Sequence, residues 1–285
     1  MAEVVARSVK PTFSVELWPP RSPASAMKLE QTLPILEELH PTFTSITYGA
    51  GGSTREKTHD LVVRIKRETS IEPMAHLTTA AHRKTELVLI LERYIAAGVE
   101  NILALRGDPP LSGDVELPPG ELGNAIELVK LARSLGDFSI TVAAHPEGHP
   151  DSPNLEIDRI MLARKLELAD MAITQFFFVA DDYFRLVDDL EKLGISKPVL
   201  PGIMAPTSLK TLEKMVQLSG AKVPNRVWQR LYGAGDDVEA IKSIGVEIAI
   251  ELSEELLKRG APGIHVYTMN EAATTVEIYR SLGLG

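Results

Sequence analysis

Cysteine is missing from all 285 residues, which excludes disulfides, thiolate metal ligands and cysteine nucleophiles together. There is no stripe of lysine and arginine either. The formal net charge is -9 with acids and bases interspersed, which argues against nucleic acid as a partner. Nowhere do about 18 apolar residues run together, and the opening MAEVVARSVKPTF lacks a long apolar stretch. No membrane partner is therefore expected, and a cytoplasmic location is the default. No G-x-x-x-x-G-K-[ST] loop, dinucleotide fingerprint or H-E-x-x-H helix occurs, so no metal site is expected. No linker-like or low-complexity segment divides the chain, and residues 1–285 read as one catalytic domain.

What is present is alternation. Strand-like runs lie at Phe13–Trp18, Phe43–Tyr48, Pro73–Thr78, Asn101–Arg106, Ser139–Ala144, Met171–Phe176, Pro198–Met204 and Gly263–Thr268. Between them come helical patterns. Leu29, Leu33, Leu36 and Leu39 form one apolar stripe, and Ser53 with Glu56 gives a capping-box pattern ahead of the next helix. Leu87, Leu91, Tyr94 and Ile95 mark a third helix, stopped by Gly98, and Asp181 and Gly194 bracket a later one. Strand and helix alternating at roughly 30-residue intervals means parallel strands with crossover helices. Eight such units without a Gly-rich first turn favour a closed α/β fold, a (β/α)₈ TIM-type barrel. The interval between strands seven and eight holds extra helices (SLKTLEKMVQLSG, PNRVWQRLYG and DDVEAIKSIGVEIAIELSEELLKRG).

Chemistry in such a barrel sits at the C-terminal ends of the strands. That face carries Thr47, Tyr48, His76, Arg106, Gly107, Asp108, His145, Gln175 and Tyr267, with no lysine placed for a Schiff base. Glu16 lies within an apolar strand, where lost hydration raises a carboxyl pKa and suits it to act as a general acid. A structural ion pair with an inward basic residue such as Arg106 is the competing reading. Asp108 precedes two prolines that fix its loop, so it is placed either to stabilise a developing cation or to cap a turn. His145 and His149 have i,i+4 spacing, but Pro146 and Pro150 argue against one helix presenting both. Gln175 offers an amide that can both donate to and accept from a lactam edge.

In order along the chain, FSVELWPP, TSITYGAGGSTREKT, AHLT, NILALRGDPP, VAAHPEGHP, ITQFFF, PGIMAPTS and HVYTMN resemble the catalytic barrel of the methylenetetrahydrofolate reductase family from Phe13 to Leu282. That resemblance implies reduction of 5,10-methylenetetrahydrofolate to 5-methyltetrahydrofolate by NADH or NADPH, with a folate as small-molecule substrate and FAD as the usual relay. It implies that Glu16 is the acid that protonates folate N10 and that Asp108 favours the cationic intermediate. Gln175 matches the residue that grips the pterin, with Tyr267 and Leu209 also on the substrate side. Thr47, Tyr48, His76, Arg106, Gly107, His145, His149, Asp158 and Lys165 match flavin-holding positions.

Departures from the family pattern cluster on those flavin contacts. His145 stands where tyrosine is usual, NAIELV replaces an aromatic-led segment at Asn124, and Met161 replaces asparagine. The turn before strand six is shortened to LELAD. Leu209 replaces a phenylalanine that stacks on ligand, and Glu271 an arginine after HVYTMN. The expectation is weakened or lost flavin binding, with hydride passing from nicotinamide to a folate iminium. The alternatives are a non-catalytic folate-binding paralogue and a flavin-dependent, amine-oxidising barrel related to proline dehydrogenase.

Overall fold

The structure is a computed structural model and describes residues 1–49, 55–107 and 120–284. Strands β1 (Thr12–Leu17), β2 (Thr44–Ile46), β3 (Pro73–Thr78), β4 (Asn101–Leu105), β5 (Ser139–Ala144) and β6 (Met171–Thr174) pair in sequence order, all parallel. The expected seventh strand is two short ones, β7 (Val199–Leu200) and β8 (Gly202–Ile203). β7 pairs with β6, whereas β8 pairs with β9 (Gly263–Tyr267), which returns to β1. The break falls at Pro201, which has no N–H to give to a ladder. Its carbonyl accepts from the His265 N–H, while the Gly202 N–H turns to the Thr174 hydroxyl. One segment thus hands the sheet from β6 to β9, and nine parallel strands make a nearly closed barrel.

The crossover helices follow the apolar stripes. Helix α2 (Pro23–Glu37) opens on Ser22, whose side chain accepts from the Ser25 N–H, with Pro23 in the first turn. It buries Leu29, Leu33 and Leu36 against the strands. Helix α4 (Lys84–Ala96) buries Leu87, Leu91 and Tyr94, with Gly98 left-handed just beyond it. Ile95, read as part of that stripe, is exposed. Helix α3 (Arg55–Glu68) follows the expected capping box, whose Ser53 lies outside the described residues. Helices α5 (Ala125–Leu135), α6 (Leu155–Leu168) and α7 (Ala180–Lys192) continue the ring, α5 and α6 capped by Asn124 and Asn154. Asp181 lies in the first turn of α7 without capping it.

The extra helices between β8 and β9 are α8 (Leu209–Ser219), α9 (Asn225–Gly233) and α10 (Val238–Lys258), and α11 (Ala272–Ser281) ends the chain's regular structure. Leu212, Val227, Leu231 and Ile248 join Phe176 and Phe178 in a second apolar cluster. A six-residue helix that the sequence reading did not include, α1 (Ala2–Arg7), buries Val5 with Phe43, Met74, Leu103, Met171, Ile173 and Leu200. Among the described residues, no helix is long and apolar enough to cross a membrane.

Candidate active site

Alternation along the strands sends Val15 and Leu17 into the helix-facing core, and Ser14 and Glu16 to the opposite face. The parallel register sets Glu16 beside Ser45 on one side and Tyr267 on the other, with Ser14 beside His265. Glu16 opens into a cavity of about 400 Å³. Thr47, Tyr48, His76, His145, Gln175 and Tyr267 line the same cavity, as do Trp18 and Leu103.

Glu16 is almost fully buried, and burial pushes its carboxyl up to about 7, moderated by hydrogen bonds with Trp18 and Ser45. The Trp18 indole N–H donates to Oε1 at 3.1 Å. His76 Nε2 lies 3.6 Å from Oε2, and burial holds that imidazole neutral with its pKa down to about 3. This nitrogen has no hydrogen-bond partner among the described residues. The competing ion pair is not formed, since Arg106 reaches Asp151 at 2.7 Å instead.

The β9–α11 turn fixes the end of β1. Asn270, buried and with φ +57°, accepts from the Trp18 N–H and donates to the Trp18 carbonyl, both at 2.9 Å. The Thr268 hydroxyl donates to the Glu16 carbonyl at 2.6 Å. Tyr267 donates across the barrel to the Thr174 carbonyl at 2.5 Å. Its ring fills the space where a Cβ on Gly202 would stand, 2.6 Å away, so PGIM requires glycine there. Gln175 turns its side-chain oxygen onto its neighbour's N–H at 3.0 Å.

Tyr48 donates to His82 Nε2 at 2.9 Å, because the Ala80 carbonyl engages the other ring nitrogen. Gly107, with φ +82°, sits where a Cβ would lie 2.8 Å from that of Thr78. His145 meets His149 edge to face at 4.7 Å, and burial is the first cause of its fall to about 3.

The other expected flavin positions are committed elsewhere. Lys165 donates to the Ala143 carbonyl at 2.9 Å, and Asp158 accepts from the His149 N–H and Ser152 and pairs with Arg159. Arg106, Gly107, His149, Asp158 and Lys165 do not line the cavity, and Leu209 packs against the second apolar cluster. α8 contributes Met215 and Leu218 to the cavity instead. Glu271 is paired with Lys28 of α2. Asp108 lies outside the described residues.

Four supporting residues escaped the sequence reading. His265, inside HVYTMN, lines the cavity and contacts both Ser14 and Ser45. Trp18 and Asn270 also lie within quoted motifs. Arg159, nearly inaccessible, donates to the His145 and Pro146 carbonyls and so holds the β5–α6 turn. A charged residue on the strand-facing side of a helix was the available signal for it.

A nearly closed parallel barrel with a raised-pKa carboxyl at one end of its strands has the architecture of a barrel enzyme. A profile of the family described as methylenetetrahydrofolate reductase matches residues 2–283, and the chain belongs to that family. It is 36% identical over 273 residues to 5,10-methylenetetrahydrofolate reductase of Escherichia coli K12, covering 95% of this chain and 90% of that one. It is 34% identical to methylenetetrahydrofolate reductase (NADH) 1 of Arabidopsis thaliana, covering 95% of this chain and 48% of the plant protein. A Clostridium thermocellum protein described as binding two copies of 5-methyl-5,6,7,8-tetrahydrofolic acid superposes with TM-score 0.65 at 17% identity, covering 99% and 96% of the two chains. At that identity the likeness speaks for the fold.

Proposed function

We propose that this protein reduces 5,10-methylenetetrahydrofolate to 5-methyltetrahydrofolate, with NADH or NADPH supplying the hydride. The observation that carries the reading is Glu16: a buried carboxyl with pKa about 7 at the edge of the cavity, in a chain of this family. A carboxylic acid poised near neutrality is suited to give a proton to folate N10. N10 then leaves the bridging carbon as the imidazolidine ring opens, and the N5 lone pair forms the iminium. Hydride from the nicotinamide adds to that carbon and yields the methyl group. One proton and one hydride are consumed, and the nicotinamide leaves oxidised.

FAD, the relay the family generally uses, is matched only in part. A planar ring would find His76 unpartnered beside Thr47, Tyr48 and His145. The dinucleotide tail would need Arg106, Asp158 and Lys165, which are engaged with Asp151, Arg159 and the Ala143 carbonyl. These residues fit a ring better than a resident dinucleotide, so the proposed hydride path is direct. Asp108 remains in the proposal as the carboxylate that favours the cation, and Asp108→Asn is expected to lower kcat by about 10²-fold.

Nicotinamide oxidation that depends strictly on methylenetetrahydrofolate tests the activity and separates it from mere folate binding and from amine oxidation. An absorption spectrum of the purified protein tests the route. Stoichiometric FAD bleached by NADH would overturn the direct transfer while leaving the reductase reading in place.

A further inference from the structure

A second cavity, of about 440 Å³, lies between α2 and α3. Arg21 lines both it and the catalytic cavity, so the two meet at one side chain. Its size falls within the range of small-molecule sites, about 300–1,000 Å³, which are mostly apolar with a few placed polar groups. Leu29 and Leu61, both buried, form an apolar floor with Ala26.

The cleft changes chemistry along its length. Both helices start at the catalytic end of the strands and run away from it. At that end stand Arg21, just before α2, and Lys57, in the first turn of α3. One turn further along the same face of α3 comes the Asp60 carboxylate, followed by Leu61. Arg64 closes the far end, about 10 Å along the helix from Lys57. Among the described residues, Arg21, Lys57 and Asp60 form no ion pair, whereas Arg64 donates to both Glu30 and Glu68.

A nicotinamide dinucleotide presents its parts in the same order: a reacting ring, a pyrophosphate, a ribose and a flat purine. We propose that the α2–α3 cleft takes the adenosine end of NADH and that Asp60 selects NADH over NADPH. Arg21 and Lys57 meet the pyrophosphate where it leaves the catalytic cavity. Beyond them, the Asp60 carboxylate accepts from the hydroxyls of the adenosine ribose and repels a 2′-phosphate. Arg64, the cation that could welcome that phosphate, is held by Glu30 and Glu68. The purine lies on the apolar floor. The place of this cleft in catalysis rests on the reductase reading, although adenosine binding needs no turnover.

ADP-ribose carries the adenosine and the pyrophosphate but no nicotinamide, so calorimetry with it probes the cleft without the reacting ring. It is expected to bind the protein and to be displaced by NADH. Ala26→Trp, which fills the cleft, is expected to raise the Kd of both ADP-ribose and NADH by about tenfold or more, with the affinity for 5-methyltetrahydrofolate retained. Asp60→Asn is expected to narrow the ratio of NADPH to NADH Kd by about tenfold. Asp60 is exposed, so this variant decides the matter even where Ala26→Trp folds poorly. Absent ADP-ribose binding, displacement by FAD but not by NADH, tighter binding of NADPH than of NADH, or an unchanged ratio in Asp60→Asn would overturn the assignment. Cleft binding that behaves as expected, without methylenetetrahydrofolate-dependent oxidation, would defeat the reductase reading and leave the adenosine site standing.

Discussion

The two halves of the barrel wall are chemically unlike. From β9 through β1 and β2 to β3, the residues turned to the cavity or the interior beneath it are Tyr267, His265, Ser14, Glu16, Ser45 and His76. On the strands from β4 to β6 the residues that line the cavity itself are Leu103, Leu105, Ala143 and Ile173, with the buried Thr141 beneath them. One wall carries the carboxyl, hydroxyl and imidazole groups; the other is apolar along its strands. The acid's pKa needs both, since the apolar wall withholds water and the polar wall supplies the hydrogen bonds that tune it.

The widest contrast is expected at the acid itself. Glu16→Gln should cut kcat on the order of 10²–10⁴-fold while leaving folate binding in place, read by steady-state kinetics beside equilibrium titration. An unchanged rate would move the proton chemistry off this wall. Next comes Leu103→Asn, which puts an amide into the apolar cluster of Phe43, Met74, Met171, Ile173 and Leu200. It is expected to cost about 3 kcal/mol in urea denaturation, where a polar wall would have absorbed it.

A third prediction concerns stability against pH. Because the folded-state pKa of Glu16 is raised from 4.5 to about 7, the native protein holds more protons than the unfolded chain in that window. Its contribution therefore becomes unfavourable as pH rises from 4.5 toward 7. Glu16→Gln should stabilise the fold above pH 7, by roughly 3 kcal/mol at most, and leave it unaffected below pH 4. The sign is opposite for His76 and His265, lowered from 6.5 to about 3: their contribution is lost as pH falls below 6.5. Melting curves across pH for Glu16→Gln and its parent resolve the two trends.

Trp18→Phe sharpens the polar wall further. It removes a donor to the carboxylate, so the Glu16 midpoint should rise by about one unit. The smallest effect belongs outside both walls. Lys28→Ala should change stability by about 0.5 kcal/mol or less, because its pairing with Glu271 is solvent-exposed. A large loss there would mean that the α2–α11 contact supports the site.

The fold was legible where pattern and physics coincide. Apolar runs such as Asn101–Leu105 and stripes such as Leu29, Leu33 and Leu36 announce parallel strands and their crossover helices. The division of the seventh strand was not legible. Pro201 signals a missing donor, but only the completed ring shows that the chain there changes partners. Helix α1 was too short for periodicity to register. At the site, Glu16 stood out because charge inside an apolar strand is costly. His265 did not, because a histidine among Val266 and Tyr267 reads as strand until register sets it beside Ser14. Leu209 was carried over from family position, but the turn of α8 brings Met215 and Leu218 to the cavity instead.

The indole that donates to Glu16 is one of only two in the chain, the other being Trp228 on α9. Trp228→Phe would leave a protein whose tryptophan emission comes from a single ring, hydrogen-bonded to the acid. Its emission would then report, in real time and without an added dye, the moment at which that oxygen gains or loses its charge.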